Sequence, residues 1–194
     1  MSRFALMPTP LPGVVCVQRQ PLADTRGFLA RMFCAQELAA AGWQWPVAQI
    51  NHTCTAQRGT VRGLHYQRPP AAEAKLVSCL RGAVWDVAVD LRANSPTYLR
   101  WHAQELSAAN GCALLIPPGC AHGFQALQDD TEMLYLHSAP YTPALEAGLH
   151  PQDSTLAIDW PLPVQGLSGR DAALPHWADG FEPLLVPHAA PLAL

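Results

Sequence analysis

The sequence predicts an all-β fold, a sandwich, jelly roll or barrel, and three observations carry that prediction. Apolar residues make up 49% of the 194-residue chain and charged residues only 14%, the balance of a globular protein with a sizeable buried core. Nineteen prolines and 13 glycines cut the chain into pieces too short for long helices. Between those breaks, short β-prone runs recur at regular spacing with turn residues between them.

Read in order, VVCVQ (14–18) is strand-like, and ADTRGFLARMF (23–33) is a turn leading into another strand. CAQELAAAGW (34–43) is the best helix in the chain, rich in Ala and Leu, with Gly42 as its stop. The pattern is then β: VAQINHTCTA (47–56), GTVRGLHYQ (59–67), KLVSCLR (75–81), AVWDVAVDL (83–91), YLRWHAQEL (98–106), CALLI (112–116), AHGFQAL (121–127) and EMLYLHS (132–138). Strict alternation in AVWDVAVDL puts Trp85, Val87, Val89 and Leu91 on one packed face and Asp86, Ala88 and Asp90 on a polar one. That polar face is solvated or lines a pocket mouth. From residue 151 the chain becomes proline-rich and aperiodic, as expected of a segment that wraps the barrel and ends loosely after about Pro175. The expected organisation is one domain over 1–194: N-terminal strands and helix to about 45, a core barrel over 46–145, and a C-terminal wrapping segment and tail over 146–194.

Composition also excludes function classes. A formal charge of −3 and a pI near 6.2 offer no basic field for nucleic acid or an anionic membrane. No apolar run is long enough to span a bilayer, and MSRFALMPTP lacks the sections of a signal peptide. A soluble cytoplasmic protein is expected. The six cysteines are scattered with no C-x-x-C, which predicts reduced, mostly buried thiols.

Eight histidines are present. His150, His176 and His188 sit in proline-rich loops and read as surface residues, and His52, His102 and His137 as ordinary strand residues. His122 differs. It ends PPGCAHGF, a P-x-G-x-x-H pattern that resembles the second motif of the cupin superfamily. Metal-binding cupins supply H-x-H and a glutamate from their first motif, whereas the corresponding GLHYQRPPAAE holds only His65 and Glu73. Two histidines and one carboxylate are a poor ligand set, so no metal is expected.

The strings RGLHYQ, KLVSCLRGAVWDVAVDLRANSPT, LSAANG, IPPGCAHGF, EMLYLHSAPYTPALEAG and IDWPLP, in that order, resemble the dTDP-4-dehydrorhamnose 3,5-epimerase family of metal-free cupins, from about Gly13 to Asp171. The resemblance implies a double-stranded β-helix with a few short peripheral helices, a homodimer, no cofactor, and a nucleotide-linked 4-keto-6-deoxy sugar as substrate. It implies His65 as the base, Asp171 as the carboxylate that orients it, Tyr135 as the acid on the far side of the sugar, and Lys75 beside the ketone oxygen. Arg26 and Arg62 match arginines that hold the diphosphate and nucleotide. Phe28, Gln49, Asn51, Asp86, His122, Glu146 and Arg170 fall on further ligand-contacting positions, and Tyr141 on an aromatic that flanks the sugar.

Two stretches depart from the family pattern: Arg31 stands where an acidic residue is usual, and LHSAPY replaces a Thr-Asp-Tyr-Tyr-like run. They leave open the nucleotide and the choice between 3,5-epimerisation and 3-epimerisation in a modified-sugar pathway. A metal-dependent cupin enzyme is the more distant alternative. Within VRGLHYQ, Arg62 and His65 are three residues apart and would point to opposite faces of a regular strand. Gly63 between them predicts a bulge that lets both face one pocket.

Overall fold

A computed structural model describes residues 2–186. Its strands are β1 (Phe4–Pro8), β2 (Val15–Arg19), β3 (Leu22–Asp24), β4 (Gly27–Leu29), β5 (Gln49–Thr55), β6 (Val61–Gln67), β7 (Lys75–Arg81), β8 (Ala83–Asp90), β9 (Trp101–Ser107), β10 (Cys112–Ile116), β11 (Cys120–Ala126), β12 (Thr131–His137) and β13 (Glu146–Gly148). One sheet has the order β1-β2-β10-β7-β12-β5 and the other β13-β6-β11-β8-β9, while β3 and β4 form a separate hairpin. Every strand pair is antiparallel. From β5 to β12 the chain passes repeatedly from one sheet to the other, which is the double-stranded β-helix that the resemblance implies. The sheets also take β1, β2 and β13 from outside the 46–145 stretch expected to form the core.

Three apolar layers hold the fold. Between the sheets lie Leu11, Val77, Val84, Leu106, Leu114, Phe124 and Met133. The outer face of the larger sheet packs Val15, Val17, Leu76 and Leu115 against Leu38 and Trp43. The outer face of the other sheet packs Leu64, Val87, Val89 and Leu91 against Leu149, Leu156 and Leu184 of the C-terminal segment. Each fully buried side chain of this size contributes about 1.5–3 kcal/mol.

Both outer layers correct expectations. The helix expected over 34–43 is a single turn, α1 (Ala35–Leu38), followed by a 3₁₀ turn at Ala39–Ala41 and closed by Gly42 at φ 94°. Only Leu38, Ala41 and Trp43 are buried there, too narrow a face to sustain a longer helix. The polar face of β8 is not solvated: Asp86, Ala88 and Asp90 are as buried as Val87 and Val89. They point between the sheets, while the alternate residues are covered by the C-terminal segment. That segment is not loose after Pro175 either. The Trp177 N–H donates to Asp153 Oδ2 (2.6 Å) and the Leu184 N–H to the Leu91 carbonyl (2.8 Å). The remainder of the expected tail, with His188, lies outside the described residues. Cys16 and Cys112 lie side by side on neighbouring strands β2 and β10. Among the described residues, no helix is long and apolar enough to cross a membrane.

Candidate active site

Strand registers build one cleft from two walls. On the larger sheet Gln49, His137 and Lys75 lie in register across β5, β12 and β7, and Asn51 and Tyr135 form the next rung. On the smaller sheet His65 of β6 is opposite His122 of β11. Because side chains alternate along a strand, each rung aims its whole set at one face. The cleft between the walls has a volume of about 360 Å³ and is lined by Gln49, Asn51, His65, Lys75, His122 and Tyr135. Tyr141, Glu146 and Arg170 close one side.

The ladder between β6 and β11 is irregular where His65 emerges. His122 pairs with His65 and Phe124 with Arg62, so three steps on β6 match two on β11. This is the bulge that Gly63 predicts. A Cβ on Gly63 would lie 2.6 Å from Gly123 Cα, and one on Gly148 of the flanking β13 would lie 2.4 Å from the Leu64 carbonyl oxygen. The backbones approach closely, and the extra residue brings Arg62 and His65 to the rim of one adjoining cavity of about 410 Å³. Arg62 is steadied there by donating to Thr55 Oγ1 (3.0 Å) and the Cys54 carbonyl (3.1 Å).

His65 Nε2 lies 2.7 Å from Asp171 Oδ1, which leaves Nδ1 as the other ring nitrogen. Asp171 is delivered by a 3₁₀ turn (Asp171–Ala173) that packs against β6, and it also accepts from the Gly63 N–H (3.4 Å). Burial alone would raise its carboxyl, but the bonds from His65 and Gly63 outweigh it and hold the group below the usual carboxylate range. It is therefore an anion at neutral pH that fixes the orientation of the ring. Across the cleft, burial pushes the Tyr135 phenol up despite the hydrogen bond from Thr53, so Tyr135 stays a proton donor at neutral pH.

Asp86 lies behind the wall and takes no place on the cleft surface. Its Oδ2 is 2.8 Å from His122 Nε2, while Oδ1 is buried without a partner. Burial raises its carboxyl more than His122 lowers it. Arg170 pairs with Glu146, whose carboxylate also accepts from the Tyr141 hydroxyl, and the Tyr141 N–H donates to Gln49 Oε1 (2.9 Å).

Two further candidates lie away from both the cleft and the adjoining cavity. Arg26 and Phe28 sit on the β3–β4 hairpin, where Arg26 pairs with Asp24 (2.6 Å) and Phe28 is 76% exposed. Arg31 pairs with Glu37 nearby.

Sequence reasoning missed Glu73 and His137 as cleft residues. His137 shares a strand face with Tyr135 two residues earlier, and alternation alone could have placed it there. Glu73 precedes β7 in a loop, where no periodicity points to it. Its Oε1 is 3.2 Å from Lys75 Nζ and 3.8 Å from His137 Nδ1, and its Oε2 accepts from Gln67. Burial would raise the Glu73 carboxyl, but His137 and Lys75 bring it below its ordinary range. Lys75 is the only lysine in the sequence. Among the described residues, no group of three or more His, Cys, Asp or Glu side chains is arranged to hold a metal ion.

A family model described as dTDP-4-dehydrorhamnose 3,5-epimerase matches residues 8–179. A dTDP-4-dehydrorhamnose 3,5-epimerase of Sinorhizobium fredii is 40% identical over 163 residues, 84% of each chain. A dTDP-4-dehydrorhamnose 3-epimerase of Streptomyces niveus is 41% identical over 86% of this chain and 80% of its own. Among solved structures, a dTDP-6-deoxy-D-glucose-3,5-epimerase of Legionella pneumophila in complex with dTDP-4-keto-L-rhamnose superposes with a TM-score of 0.88. It is 34% identical, and the match covers 95% of this chain and all of that one.

Proposed function

Because this chain belongs to the dTDP-4-dehydrorhamnose 3,5-epimerase family, we propose that its cleft epimerises a nucleotide-linked 4-keto-6-deoxy sugar at C3 and C5. The observation that carries this reading is the opposition of two proton-handling groups. The His65–Asp171 pair rises from one sheet and Tyr135 from the other.

Inverting a centre requires a proton to leave one face and another to arrive on the opposite face. The C3 and C5 hydrogens flank the ketone, so their removal produces an enolate. His65 takes the proton as the general base, and Asp171 orients it. Lys75 supplies the positive charge for the enolate oxygen inside a largely buried site, where such a charge acts most strongly. Tyr135, held protonated by burial, returns a proton from the other side. Gln49, Asn51, His122, Tyr141, Glu146 and Arg170 hold the sugar, and Arg62 takes the diphosphate at the adjoining cavity. Asp86 serves by holding His122 rather than by touching the ligand.

The reading extends to a thymidine nucleotide, to a cytoplasmic enzyme that meets its nucleotide-linked substrate there, and to a homodimer. The hairpin supports the dimer: Leu22, Phe28 and Leu29 are large, apolar and exposed. A second copy is also the simplest way to bring Arg26 and Phe28 to a bound nucleotide. Sedimentation of a Phe28→Arg variant tests this. A monomer is expected, and an unchanged mass removes the hairpin from the interface.

Incubation with dTDP-4-keto-6-deoxyglucose in heavy water, followed by NMR of the sugar, tests the reaction itself. Deuterium at both C3 and C5 is expected. Deuterium at C3 alone marks a 3-epimerase, a second reading favoured by the Streptomyces niveus relative and by the departure at LHSAPY beside Tyr141. No exchange at either carbon overturns both.

A further inference from the structure

Lys75 is buried, and a buried ammonium keeps its charge only if a partner compensates its lost hydration. That partner is Glu73, itself buried, at 3.2 Å. The lysine Nζ also donates to the His65 carbonyl at 3.1 Å. These two contacts tie Lys75 to its own segment and to the strand that carries the base. Glu73 is in turn anchored by Gln67 and has His137 at 3.8 Å.

We propose that Glu73 is the positioning residue for Lys75, holding its ammonium charged and aimed into the cleft. The proposal rests on the epimerase reading for its catalytic consequence, but not for the ion pair. The other charged and titratable groups around Lys75 are His137 and Tyr135 on β12, His65 on β6, His122 and Cys120 on β11, and Asp86 on β8. Among the described residues, the carboxylate in direct contact with Nζ is that of Glu73. Asp86 is bonded to His122.

The carboxylate has a second effect that works the other way, since it neutralises part of the charge the enolate needs. Desolvation decides between them. Without Glu73, a lysine this buried tends to lose its proton, and a neutral amine gives the enolate no charge at all. Glu73 therefore sustains Lys75 more than it weakens it.

The single lysine makes the test direct. Protein carrying ¹³C and ¹⁵N only in lysine gives one side-chain ammonium signal, and its titration reads Lys75 alone. Glu73→Gln, which keeps shape and removes charge, is expected to lower that midpoint by about 1 unit or more. It should also draw the alkaline limb of the kcat profile to lower pH. At the optimum, kcat should fall roughly 10-fold or more through lost aim, with KM little changed. Glu73→Asp restores the charge and should recover most of the midpoint. His137→Gln, next to the same carboxylate but not in contact with Nζ, should leave the alkaline limb in place.

A folded Glu73→Gln protein with an unmoved lysine midpoint overturns the proposal, and so does an unmoved alkaline limb. Should Glu73→Gln not fold, an aspartate variant that folds with kcat unchanged overturns it in its place, because the shortened side chain keeps the charge but breaks the 3.2 Å contact that aims the ammonium. If the unsubstituted protein exchanges no proton on the sugar, the epimerase reading fails while the titration still decides the ion pair.

Discussion

Two histidine–carboxylate pairs stand side by side on β6 and β11, made of the same parts at nearly the same distance. His65 lies 2.7 Å from Asp171 and His122 lies 2.8 Å from Asp86. Their surroundings differ. The His65 side chain is 31% exposed and opens on the cleft, whereas His122 is 6% exposed and Asp86 not at all. The carboxyl at the cleft edge is held low by its hydrogen bonds, and the one inside the barrel is pushed up by burial. A hydrogen-bond length thus says little about what a pair does. Both carboxyls are buried, and the balance of burial against hydrogen bonds decides whether the group is a ready anion that can support a proton transfer or a costly one that packs.

If that contrast is right, the largest effects separate cleanly. His65→Ala is expected to cost about 10²- to 10⁴-fold in heavy-water exchange with little loss of stability. His122→Ala should cost about 3–5 kcal/mol in urea unfolding, because it strands a buried carboxylate, with a smaller loss of exchange. Equal stability losses in the two variants would erase the distinction. Next come the carboxylates. Asp171→Asn should lower kcat by about 10²-fold or more, since an amide offers the ring a different hydrogen-bonding pattern, whereas Asp86→Asn should cost less than about 10-fold. Tyr135→Phe should slow turnover more than the first proton abstraction, and matched losses would remove Tyr135 as the returning acid.

The smallest effect is in the acid limb of stability. A carboxyl depressed on folding, Asp171, contributes stability that is present above the ordinary carboxylate range, near 3.9, and is lost as pH falls through its folded value. A carboxyl raised on folding, Asp86, contributes most below that range, and its contribution is lost as pH rises through its folded value. Melting temperatures between pH 3 and pH 7 should therefore diverge. Asp171→Asn should lose ground against the unsubstituted protein as pH rises, and Asp86→Asn should gain it. Parallel curves would mean that the two aspartates share one environment.

The sequence exposed the succession of strands along the chain through local rules, whereas the cleft residues came from the resemblance to the family. KLVSCLR and CALLI coincide with β7 and β10 from end to end, and Gly63 marked the bulge beneath His65. What stayed hidden depends on what covers what. Alternation in AVWDVAVD separated two faces correctly but left the polar one open between solvent and a pocket mouth, since nothing local reveals that a second sheet lies over Asp86. The short helix was overestimated for the same reason: alanine propensity is local, whereas its length is fixed by how much of Leu38 and Trp43 the sheet can bury. Glu73 was weighed only as an orphan metal ligand, because its partners Lys75, Gln67 and His137 meet it only through the meeting of β6, β7 and β12.

The ground under His65 is made of absences. Gly63, Gly123 and Gly148 sit where any added carbon would meet a neighbouring backbone or side chain within 3 Å, so the position of the base is set by atoms that are not there. Such a foundation cannot be tuned in steps. A larger residue at any of the three moves the imidazole rather than reshaping its surroundings. Change in substrate range, whether by natural drift or by laboratory selection, is therefore channelled to the neighbouring lining of the cleft, where Tyr141, Glu146 and Arg170 have side chains to exchange.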